Sequence, residues 1–107
     1  MKKKELELYE SVLLFKFTTV EETTRERLEF YRDFIKEKGT QVMVKNHGKK
    51  SLAYPIKGFE TATSVQFVYP GNDTLIKAMN VEIQRDEFVL RSLTTKLMDQ
   101  NVAEMFT

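Results

Sequence analysis

The chain contains no cysteine among its 107 residues. That excludes disulfides, thiolate metal sites and thiol nucleophiles, and it fits a reducing compartment. Histidine is almost as scarce. His47, the only one, sits beside a glycine among lysines, without companions at metal-ligand spacing and without a Ser/His/Asp grouping, so neither a metal site nor a catalytic triad is expected. Long apolar runs are missing too, and no window approaches a membrane span. The basic start Met1-Lys2-Lys3-Lys4 runs into Glu5, Leu6, Glu7 and Leu8 instead of an apolar signal core. A protein made in the compartment where it works is the resulting expectation. With two prolines and four glycines, the chain shows no linker, no low-complexity stretch and no internal repeat.

What remains suits a soluble globular chain, 41% apolar and 31% charged. A chain this long can bury about two-thirds of its unfolded surface without staples. One domain is expected over residues 1–97, with 1–7 a basic extension and 98–107 a tail too short to fold alone. Net charge is only +1, so no global field draws in nucleic acid. The charges are nevertheless uneven: residues 41–58 hold Lys45, Lys49, Lys50 and Lys57 and no acid. Such a stripe either solvates an edge or contacts phosphate.

Periodicity predicts six elements. Leu8 to Phe17 alternates as a strand, with Tyr9, Leu13, Phe15 and Phe17 on one face and Val12 and Leu14 making the other apolar. A helix follows, capped by Thr18 or Thr19, with Leu28, Tyr31 and Ile35 on one stripe and Gly39 placed to end it. A long strand then runs from Thr40 to Ile56, bulged near Asn46-His47-Gly48. Lys57-Gly58-Phe59-Glu60 makes a hairpin turn, and Thr61 to Tyr69 is the next strand. Pro70-Gly71-Asn72-Asp73 stops that strand and caps a helix whose stripe is Leu75, Ile76, Met79 and Ile83. Phe88 to Leu97 is the last strand, its alternation broken by Arg91.

Strand, helix, strand, strand, helix, strand is the order of a ferredoxin-like α+β sandwich: a four-stranded antiparallel sheet with two helices on one face. Its second strand lies at an edge, where Pro55 is tolerated because its missing N–H would have faced water. The sheet's other face has no helix of its own. Val12 and Leu14 therefore belong to an open apolar surface of the kind that takes a partner protein.

Catalytic patterns are not encoded. Gly48-Lys49-Lys50 has no earlier glycine at phosphate-loop spacing. Lys57-Gly58-Phe59 begins like the aromatic signature of the RNA-recognition motif, but Glu60 and Thr61 stand where that signature wants a small residue and an aromatic. The oxyanion-binding arginine loop of an acylphosphatase is missing near Glu10, Ser11, Lys16 and Phe17. Glu21-Glu22 are expected to cap a helix, and Asp86-Glu87 to form a polar loop.

Five stretches carry a family likeness: Tyr9-Glu10; Gly48-Lys49-Lys50 with Leu52-Ala53-Tyr54-Pro55-Ile56; Pro70; Val89-Leu90-Arg91; and Leu93-Thr94-Thr95-Lys96-Leu97. Through them the chain, over roughly residues 8–97, resembles the bacterial-type small-subunit ribosomal protein six family, and its ending resembles the cyanobacterial and plastid branch. It departs in having Lys49-Lys50 where many members carry an arginine pair, Ser51 where another basic residue is common, and Thr61-Ala62-Thr63 in place of a glycine-plus-aromatic stretch.

The resemblance implies a structural, non-catalytic component of the small ribosomal subunit. It would bind the central domain of small-subunit rRNA together with small-subunit ribosomal protein eighteen, and need no cofactor, membrane or small-molecule substrate. Carried over by position, Lys49, Lys50 and Arg91 are expected to contact phosphate, with Tyr54 in support. Lys2, Lys3, Lys4, Lys57 and Arg85 are weaker candidates, chosen for charge. Twelve lysines against five arginines suggest an AT-rich genome, hence a plastid stroma, with bacterial cytoplasm the alternative. The competing function is a ferredoxin-like ligand-sensing or protein-interaction module unconnected with the ribosome.

Overall fold

A strand with apolar residues at every second position must bury one face, and β1 (Glu7–Lys16) does so with Tyr9, Ser11, Leu13 and Phe15. A computed structural model describes residues 7–18, 21–38 and 41–97. After β1 come α1 (Glu21–Lys38), β2 (Met43–Ile56), β3 (Phe59–Gly71), α2 (Asp73–Arg85) and β4 (Val89–Lys96). The sheet is antiparallel, in the order β2-β3-β1-β4, with β2 and β4 at the edges. The ferredoxin-like architecture expected from the element order is thus observed.

Register explains the two faces. Tyr9 stands opposite Tyr69, Ser11 opposite Phe67 and Leu13 opposite Val65, and all six are buried beneath the helices. In α1, Thr24, Tyr31 and Ile35 recur at helical spacing and are buried against them, with Leu28 and Phe34 partly covered. In α2, Leu75, Met79 and Ile83 are buried at four-residue intervals. Each such side chain contributes about 1.5–3 kcal/mol by leaving water. Asn72 starts α2 by accepting a hydrogen bond from the Leu75 N–H at 3.0 Å. The proposed helix caps Thr19 and Gly39 lie outside the described residues, as do the N-terminal lysines and the tail from 98.

Two details differ from the sequence reading. Pro70 does not stop β3, which continues to Gly71 with Pro70 opposite Leu8. The β2–β3 pairing has ended by Val68, opposite Met43, so a residue without an N–H costs the ladder little there. Pro55 escapes the ladder more completely than an edge position alone would allow. Pairing runs to Ser51 opposite Thr61 and resumes only at Ile56 opposite Phe59, leaving residues 52–55 unmatched. The excess chain bulges, and Pro55 lies inside the bulge.

A smaller bulge falls where glycine suggested it. Asn46 faces Val65 and Gly48 faces Ser64, with His47 extra between them. Gly48 has φ +82°, and the Asn46 side chain accepts from its N–H at 2.8 Å. The β2–β3 hairpin closes through Lys57 (φ 52°) and Gly58 (φ 85°), both left-handed, as a tight two-residue turn requires.

Candidate nucleic-acid and partner interface

The first bulge decides where the lysines go. Before it, Val44 stands opposite Phe67 on the helix-covered face. Unbroken alternation from Val44 would put Lys50 on that face and Lys49 on the open one. The extra residue inverts this: Lys49 pairs with Thr63 on the helix side, and Lys50 with Ala62 on the open side. The two neighbours therefore serve opposite faces of the sheet.

On the open side, Lys50 meets the product of the second bulge. The unmatched segment folds over the bare face, so that Tyr54 of one edge strand meets Arg91 of the other. Arg91 Nη1 donates to the Tyr54 hydroxyl at 3.1 Å, and its guanidinium lies 5.7 Å from the centre of that ring. Arg91 stands opposite Leu14, which explains the broken alternation in β4: the sheet register shifts between Leu14 and Phe15, and Arg91 points away from the core. Between these strands runs a groove of about 370 Å³. Its apolar lining comes from Val12, Leu14, Leu52, Ala53 and Leu93, while Lys50 and Arg91 supply its charge. Leu93 is 65% exposed and Tyr54 57%, unusual for such side chains without a covering partner.

Beside Val12, toward the β2 edge, the same face becomes polar. Gln66 donates from Nε2 to Glu10 and accepts at Oε1 from His47 Nε2, 2.9 Å away. Since the Gln66 amide already gives its N–H to Glu10, the His47 nitrogen must be the donor. The open face thus sets a polar cluster, with Lys45 opposite Gln66, directly beside the apolar Val12 and Leu93. Glu10 enters the sequence reading as part of the family likeness and Gln66 not as a functional residue; polar residues at open-face positions of otherwise apolar strands were the available signal.

The weaker candidates scatter. Lys57, at the hairpin tip, shares a shallow depression with Arg91. Arg85 lies instead beside Glu82, Asp86 and Glu87, apart from the Lys50–Arg91 groove. Lys2, Lys3 and Lys4 lie outside the described residues. Among the described residues, no group of three or more His, Asp or Glu could hold a metal, and no helix is long and apolar enough to cross a membrane.

The family model for ribosomal protein S6 matches residues 8–96. The chain belongs to the ribosomal protein S6 family. A small ribosomal subunit protein bS6 of Gloeothece citriformis is 36% identical over 90 residues, covering 83% of this chain and 51% of that one. The chain thus spans about half the length of that relative. A small ribosomal subunit protein bS6c of Guillardia theta is 29% identical over 93 residues, covering 86% of this chain and 97% of its own. These cyanobacterial and plastid relatives agree with the branch read from the ending of the last strand. A crystal structure of 30S ribosomal protein S6 from Thermotoga maritima superposes with a TM-score of 0.82 over 95% of this chain and 97% of that one. At 18% identity it speaks for the fold alone. Ribosomal protein S6 is a family of ribosomal proteins, not of enzymes, in keeping with the non-catalytic role expected above.

Proposed function

We propose that the chain is a structural component of the small ribosomal subunit. It binds the central domain of small-subunit rRNA through its cationic end, and small-subunit ribosomal protein eighteen through the open sheet face. The observation that carries this reading is the meeting of Arg91, Tyr54 and Lys50 at one end of an uncovered apolar groove. Exposed cations, with Arg91 held by its hydrogen bond to Tyr54, are placed for phosphate, which positions RNA without reading its sequence. The apolar part beside them needs a protein to keep water off Val12, Leu14 and Leu93. Lys57 adds charge at the same end, while Lys2, Lys3, Lys4 and Arg85 supply weaker, separate contacts. The lysine-rich composition and the bS6c relative favour a plastid stroma over a bacterial cytoplasm.

The test is RNA binding across a salt series, with a central-domain rRNA fragment and ribosomal protein eighteen present. Lys50→Ala and Arg91→Ala should each lower affinity and reduce the log–log salt slope by about one. Affinity and slope both unchanged in the double variant would show that these cations merely solvate the surface.

A further inference from the structure

Turning Lys49 to the helix side places it in a cleft of its own, of about 400 Å³, between the start of α1 and the bulged part of β2. Phe17 and Leu28 form the apolar part of its lining. Arg25 and Lys49 bring two positive charges, and among the described residues no acidic side chain lines it. Neither cation has an ion-pair partner among the described residues; the Lys49 ammonium rests 4.9 Å from the centre of the Phe17 ring.

The cleft also holds two hydroxyls with nothing to bind. Thr24 and Thr63 are only 8% and 6% exposed, yet neither side chain makes a hydrogen bond among the described residues. Among the described residues no polar side-chain atom is both sealed from water and unpaired, so these hydroxyls open onto the cleft they line. Asn46 adds a donor: its Oδ1 is committed to the Gly48 N–H, which leaves the amide NH₂.

Two cations, two donor–acceptor hydroxyls and a modest apolar wall describe a ligand with an anionic group beside neighbouring hydroxyls. In an RNA strand that is the ribose and its phosphate. Lys49 already covers a face of Phe17, so that face is not offered to a base. We propose that the cleft holds one ribonucleotide of the bound RNA by its sugar and phosphate. Thr24 and Thr63 contact ribose hydroxyls, Arg25 and Lys49 hold the phosphate, and the base goes unread. This rests on the chain binding RNA at all, and it adds a grip on the sheet face opposite Lys50 and Arg91. Threonine pairing with the 2′-hydroxyl would distinguish RNA from DNA, which phosphate contacts alone cannot do.

The probes are a uridine octanucleotide and its deoxyuridine counterpart, titrated into the labelled chain and followed by amide chemical shifts. The ribo form should perturb amides around Thr24, Arg25, Gly48, Lys49 and Thr63. It should bind about fivefold more tightly than the deoxy form, the gain from one added hydrogen bond. The double variant Thr24→Val, Thr63→Val should bind both oligonucleotides equally, while Thr24→Ser, Thr63→Ser, which keeps the hydroxyls, should retain the preference. Equal binding by the unaltered chain overturns the inference. So do perturbations confined to Lys50, Tyr54 and Arg91, or none at all. The salt-slope measurement with the central-domain fragment judges RNA binding itself separately.

Discussion

At the turn between α2 and β4, one oxygen of Asp86 accepts hydrogen bonds from Arg27 Nη2 at 2.5 Å, Arg27 Nε at 3.1 Å and the Tyr31 hydroxyl at 2.7 Å. Its other oxygen accepts from the Phe88 N–H at 2.9 Å. Burial alone would raise this carboxyl's pKa. The Tyr31, Phe88 and Arg27 donors outweigh that and hold it below the usual aspartate range. Burial and the Asp86 carboxylate together push the Tyr31 phenol well above its ordinary value, so it stays a donor. The residue read from sequence as loop polarity therefore fastens α1 to the turn between α2 and β4. A carboxyl whose folded pKa is depressed contributes stability that is fully present above its unfolded value, about 4, and fades as pH falls through the folded one. Asp86→Asn should cost about 1–3 kcal/mol in urea unfolding at pH 7, because an amide nitrogen would face those donors. The gap between variant and parent should narrow below about pH 4. A gap that stayed constant down to pH 2 would mean that the charge of Asp86 contributes nothing.

Among the elements, β2 shows how far sequence reaches. Its edge position, its bulge at Gly48 and its hairpin turn were all legible, because glycine, proline and alternating apolar residues report backbone geometry directly. The consequence of the bulge was not. A one-residue insertion reverses which side chains face which layer, and no local pattern says whether the extra residue falls before or after a given lysine. Reading Lys49-Lys50 as one basic pair followed from that gap. The second bulge was hidden for a related reason: Leu52 to Ile56 looks like continuous strand, and only the register of Thr61 against Ser51 reveals four unmatched residues. Hence the candidate residues were nameable from sequence, whereas their division between two faces was not. Gly48 tests the first bulge. A Cβ there would meet nothing within 4 Å, so the penalty for Gly48→Ala is conformational alone. At φ +82° it should be about 1–2 kcal/mol, read from thermal or urea unfolding, with the denaturant m-value unchanged. No loss of stability would mean that this backbone can relax out of its left-handed conformation.

For the molecule as a whole, the sheet separates two tasks that one small chain must perform together. Both helices pack on one side; on the other, Ala62, Ser64 and Val68 of β3 are buried while Arg91 and Leu93 of the β4 edge stay exposed, and those exposed positions can carry function at little cost to the core. On that open side Lys50 and Arg91 lie at one end, and the Glu10–Gln66–His47 chain lies alongside Val12 and Leu93 toward the β2 edge. A partner laid across Val12, Leu14 and Leu93 would cover the apolar surface while leaving the cationic end for RNA, and the polar side chains alongside would help fix its direction. Leu93 is the place to separate interface from fold, because it is largely exposed and stands opposite Val12 on the open face. Leu93→Asp should change unfolding free energy by no more than about 0.5 kcal/mol. Placing a charge in the middle of an apolar contact should nonetheless weaken association with ribosomal protein eighteen by at least about tenfold in a titration of the two purified proteins. If the proteins associate equally well with aspartate there, the partner sits elsewhere, and the apolar part of the open face needs another occupant.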